Sequence, residues 1–126
     1  MVRFWFGIGL LLVFLIFGLW VAEAMDSGHM QISSMLEQAA DAMLDGDPSR
    51  GIELAQQAYR RWQYHWHATA AVADHAPMDE IDSLFAQLQL YGSVRHQVDF
   101  AAYCTRLSRL IRAMGETHTL NWWNIL

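Results

Sequence analysis

Six side chains able to hold a proton or a metal crowd into residues 65–82: His65, His67, His75, Asp79, Glu80 and Asp82. Imidazoles and carboxylates are ordinary zinc ligands, and a histidine beside carboxylates titrates near neutrality. Two ligands on one helix need a spacing of three or four, as in H-E-x-x-H. His65 and His67 differ by two, so their side chains point apart. A metal site would have to combine His75, Asp79 and Asp82 with a ligand from another helix. The plainer use is structural. Asp79, near the start of a helix opened by Pro77, can accept backbone N–H bonds as in a capping box, and His75 can pack on Trp62 or Trp66 or pair with Asp79 or Asp82.

The other chemistry-bearing residues are sparser. Arg106, Arg109 and Arg112 step by three, nearly opposite Leu107, Leu110 and Met114, which predicts a solvated face or a patch for acidic partners or lipid headgroups. Cys104, the one cysteine, borders the apolar arc of the same helix and reads as a small core residue rather than a nucleophile. It also leaves the chain no intramolecular disulfide, so packing must hold the fold. Ser33-Ser34 reads as helix surface. The sequence contains no Gly-rich phosphate loop and no G-x-S-x-G turn, and it calls for no cofactor and no enzymatic activity.

These residues hang from an apolar run over residues 4–22, nineteen positions without a charge or strong polar group. As a helix it would be roughly 28 Å long, close to the ~30 Å of a bilayer's hydrocarbon. Trp5 and Trp20 stand near its two ends, as indoles do at headgroup level, and Arg3 is the only charge ahead of it. Ala22-Glu23-Ala24 has the shape of a signal-peptidase site, so cleavage near Ala24 and secretion is one reading. The length of the run exceeds the usual ~7–15 residues of a signal peptide's apolar region and favours a retained anchor. Glu23 and Asp26 follow the run, and no basic residue comes before Arg50, which favours a domain facing away from the cytoplasm.

Of the 126 residues, positions 23–82 hold eleven acids and three arginines, and positions 83–126 hold two acids and four arginines. With no concentrated basic surface, nucleic acid is not the expected partner. Asp26-Ser27-Gly28 reads as a break after the anchor. Four helices are then expected. The first covers residues 29–44 with Ile32, Met35, Leu36, Ala39 and Met43 at helical spacing, and Gly46 as its stop. The second opens on Asp47-Pro48 and carries Ile52, Ala55, Tyr59, Trp62, Trp66 and Ala70 to about residue 73. The third starts at Pro77, with Met78, Ile81, Leu84, Phe85, Leu88 and Tyr91 in one stripe, and closes at Gly92. The fourth covers residues 97–114, with Phe100, Tyr103, Leu107, Leu110, Ile111 and Met114 on one side and Gly115 as its stop. The tail holds Trp122, Trp123, Ile125 and Leu126, too apolar to stand in water uncovered.

Trp62 and Trp66, Asp74-His75, Asp79, Ile81-Asp82, the Leu84 and Leu88 spacing, the Gly46-Asp47 turn and the closing Asn124-Ile125 together resemble a family of uncharacterised bacterial proteins, domain of unknown function 4363. The likeness covers most of the chain in short, degenerate elements, and Pro77 and the doubled Trp122-Trp123 depart from the family's pattern. It implies one membrane segment ahead of a helical domain, a small multi-pass membrane protein as a partner, and no activity.

The expectation is thus an all-α chain: a transmembrane anchor over residues 1–24, then an extracytoplasmic antiparallel four-helix bundle over residues 25–126. The turn at Gly46-Asp47-Pro48 has the shape of a tetratricopeptide hairpin, though no second repeat copy is present. Trp62, Trp66, Ile81, Leu84, Phe85, Leu88, Leu107, Leu110 and Ile111 should form the core, and Trp122, Trp123 and Ile125 should dock. The expected role is a membrane-anchored interaction or accessory module. The alternative is a small metal- or pH-sensing domain built on His75, Asp79 and Asp82.

Overall fold

The computed structural model describes the backbone of residues 1–69, 75–93 and 96–123, and their side chains except at 25, 26, 68, 69, 75, 93 and 117–123. The described residues form four helices and no strand: α1 (Val2–Leu44), α2 (Pro48–Thr69), α3 (His75–Ser93) and α4 (Gln97–Trp123).

The expected anchor and the first expected helix are one element. α1 runs for 43 residues, about 65 Å, straight through the expected break. The Ser27 hydroxyl donates to the Ala24 carbonyl at 3.0 Å, so the serine bonds within the helix instead of ending it. Gly28 is tolerated at the ~1 kcal/mol that a helical glycine costs. The first part of α1 is apolar and long enough to cross a membrane, and none of it is buried against the rest of the chain. Phe4, Trp5, Phe14 and Trp20 are all about two-thirds exposed or more.

Beyond residue 28 the same helix becomes a core helix. Ile32, Leu36, Ala39, Ala40 and Met43 are buried, and this part of α1 packs against α2 and α4. α1 ends as the sequence indicates: Gly46 takes φ +87°, a conformation that costs a residue without Cβ little. The Asp47 carboxylate then accepts the backbone N–H of Arg50 at 3.2 Å and starts α2. α3 begins two residues before Pro77, which still lies in the first turn, where its missing N–H has no intrahelical partner to lose. That earlier start leaves no acid in the first turn, so Asp79 does not have the capping position expected of it. α4 does not stop at Gly115. It continues to Trp123, with Gly115 buried.

The core contains Trp62, Met78, Ile81, Leu84, Phe85, Leu88, Phe100, Cys104, Leu107, Ile111 and Met114. Trp66 and Leu110 are half-buried at its edge rather than central. α1 contacts α4 and α2 most extensively, α3 leans mainly on α4, and the α2–α3 seam is thin.

A polar clamp joins α1 to α4. Arg112 donates to Glu37 Oε1 at 2.9 Å and to Ser33 Oγ at 3.1 Å, and Ser108 Oγ donates to the same Glu37 oxygen at 2.9 Å. Ser33 is fully buried, contrary to its reading as surface, because α4 lies over it. Arg112 and Glu37 are each nearly half exposed. The arginine row is thus not simply solvated: Arg112 binds α1, and Arg106 reaches Glu80 of α3 at 3.2 Å.

Glu37→Ala and Arg112→Ala should each destabilise the fold by about 1 kcal/mol, since either change strips partners from groups at the seam. The double variant should lose at least about 0.5 kcal/mol less than the two single losses combined. Chemical denaturation of the four proteins measures this, and strictly additive losses would mean the clamp is not a coupled unit.

Candidate functional site

The two histidines that the spacing sends apart go to different places. His65 turns to α1, where its ring stands edge-on to His29 with centroids 5.3 Å apart. His29 is buried and also meets the edge of Trp62 at 6.5 Å. The His65 imidazole occupies the space that a Cβ on Gly28 would need. Gly28 is therefore a contact point between α1 and α2 and not a hinge.

His67 turns the other way, toward α3. There the thin α2–α3 seam leaves a cavity of about 240 Å³. α2 contributes Tyr59, Trp62, Gln63, Trp66 and His67, and α3 contributes Met78, Asp79 and Asp82. Farther along the seam a wider cleft of about 420 Å³ is walled mainly by Ile52, Ala55, Tyr59, Phe85, Leu88 and Phe100. Tyr59 borders both and packs on Phe85 with centroids 5.2 Å apart.

The structure thus joins Asp79 and Asp82 in one pocket with His67 and two indoles. His67 belongs to the cluster visible in the sequence, but its spacing from His65 sets it aside there, and Tyr59 reads there only as part of the α2 stripe. The sequence did hold a signal for them, since Tyr59, Trp62 and Trp66 recur at helical spacing and His67 follows directly. The side chain of His75 lies outside the described residues, as do the side chains of Trp122 and Trp123 and the whole of Ile125. Among the described residues no three His, Cys, Asp or Glu side chains converge as a metal site.

Cys104 is buried in the core, and burial pushes its thiol up from 9.0 to about 12. At neutral pH it is a protonated packing residue.

No family model, curated protein or solved structure matches this chain.

Two outcomes follow from these contacts. Gly28→Ala should destabilise by about 1–3 kcal/mol through the collision with His65, and adding His65→Ala should recover most of the loss. A gain of stability from Gly28→Ala alone, as helix propensity favours, would remove the close contact. The raised thiol pKa favours the folded state fully below pH 9, and that contribution should fade as pH rises from 9 toward 12, where only the unfolded chain ionises its thiol. Denaturation midpoints across that range, compared with those of Cys104→Ala, isolate the effect; identical pH profiles would contradict it.

Proposed function

We propose that this chain is a single-pass membrane protein whose helical part, facing away from the cytoplasm, serves as an interaction or accessory module beside another membrane protein. The observation that carries the reading is the continuity of α1. One helix is wholly exposed and apolar in its first part and supplies core residues in its second. A module built on such a rod is held at a set height and orientation above the bilayer.

The interhelical contacts support an antiparallel arrangement. Ser108 meets Glu37, and Arg112, four residues on, meets Ser33, four residues back. Arg61 of α2 likewise meets Gln31 of α1 at 2.6 Å, while Gly51 packs against Ala39 and Met43. Continuing the α1–α4 register brings the end of α4, at Trp123, level with Ala22, where the apolar run ends. Indoles favour that depth. Trp122, Trp123 and Ile125 are the residues we assign to docking, against the bilayer interface and the neighbouring membrane protein. The resemblance to domain of unknown function 4363 supports the same plan, with a small multi-pass protein as neighbour.

A photo-crosslinker placed at Leu120 in native membranes tests the proposal. The membrane fraction should hold the intact chain from Met1, crosslinked to a second membrane protein, and Trp122→Ala with Trp123→Ala should reduce the crosslink at unchanged melting temperature. A chain starting at Met25 in the medium would overturn the anchor. Lower melting temperature with undiminished crosslinking would make the tryptophans packing residues only.

A further inference from the structure

We infer that the cavity between α2 and α3 is a binding site for a small organic ammonium group, the chemistry shared by a choline or ethanolamine lipid headgroup and a free amine. The inference goes beyond the accessory role and does not depend on it, except for the lipid source.

The walls decide the class of ligand. Tyr59, Trp62 and Trp66 give the cavity an aromatic lining, Met78 adds a polarisable thioether, and Asp79 and Asp82 set two carboxylates at its α3 side. Three residues apart on a helix, those carboxylates share a face. An ammonium that carries methyl or methylene groups is attracted both to the negative face of aromatic rings and to carboxylates. The described residues lining the cavity include no arginine, and the chain has no lysine. Arg106 pairs with Glu80, and Arg61 donates to Gln31 of α1. His67 and Tyr59 are the other titratable groups in the described lining.

A bare divalent metal suits these walls poorly. Calcium wants six to eight oxygens and zinc four convergent ligands, whereas half of the described lining is aromatic or thioether and, among the described residues, no three His, Cys, Asp or Glu side chains converge. The size points to a small group. At about 240 Å³ the cavity falls below the roughly 300 Å³ at which drug-sized pockets begin.

The position suits a headgroup. Trp62 and His65 pack at the level of His29 and Gly28, and Gly28 lies six residues past the end of the apolar run. That is about 9 Å along α1, next to a headgroup layer roughly 5–8 Å thick on each side of the hydrocarbon.

The full-length protein in phosphatidylglycerol nanodiscs is titrated with tetramethylammonium chloride, against sodium chloride at equal ionic strength. The readout is the indole N–H resonances of Trp62 and Trp66. The expected result is a saturable shift specific to tetramethylammonium, weakened at least tenfold by Asp79→Asn with Asp82→Asn at unchanged helix content. Trp66→Leu, at a half-buried position, should weaken it similarly. Repeating the titration in phosphatidylcholine discs identifies the source. At least tenfold weaker apparent affinity for the probe means that the lipid headgroup already fills the site, and equal affinity assigns the site to free amines. No saturable shift in either disc, an equal shift with sodium, or binding that survives both Asp79→Asn with Asp82→Asn and Trp66→Leu would overturn the inference.

Discussion

The structure depends on a single helix meeting two different demands along its length. In its first part α1 is not buried by the described residues, and its side chains are apolar all round; in its second part it is amphipathic and lies against α2 and α4. Hydrocarbon needs a helix whose backbone groups are satisfied within the segment, and a water-facing core needs an apolar stripe. A continuous α-helix satisfies both without a joint. The orientation of every other element follows from α1, because its largest interfaces are with the helices before and after α3.

Small residues let these interfaces close. Ala39 and Ala40 on α1, Ala55 and Ala58 on α2 and Ala101 on α4 are all buried, which lets helices approach nearer than leucine would allow. Gly28 extends the same logic toward the apolar run, where α2 brings an imidazole against the α1 backbone. With a single protonated thiol in the core there is no intrachain disulfide to assist. The clamp of Ser33, Glu37, Ser108 and Arg112 adds direction to an otherwise apolar seam, since it is satisfied in only one register.

Packing quality is uneven, and the unevenness locates the candidate chemistry. α1 and α4 mesh closely, whereas α2 and α3 touch little and leave two cavities along their seam. Large rings line much of this space. Tyr59 borders both spaces, Trp62 and Trp66 wall the smaller one, and Phe85 walls the wider one. The carboxylates of Asp79 and Asp82 give one of those spaces a sign.

How much of this was legible depended on whether a residue's role is local. The apolar run, the stripes of Ile32 to Met43, Met78 to Leu88 and Phe100 to Met114, the glycine stop at Gly46 and the Asp47 cap were all readable. Periodicity and caps report a helix's own faces and ends, and those need no knowledge of neighbours. The fate of Gly28, Ser33, Gly115, Arg112 and His65 was not readable. Each is a polar or small residue whose meaning is set by which helix lies over it: glycine breaks a helix in water but admits a neighbour in a seam, and serine is surface until another helix covers it. The pocket is of the same kind, because Tyr59 and Asp82 are twenty-three positions apart and only the packing of α2 against α3 makes them neighbours. The order of residues alone settled an all-helical chain with one segment apolar enough for a bilayer. Tertiary contact decided where the helices stay unbroken and which side chains face one another, since those depend on distances that no local pattern encodes.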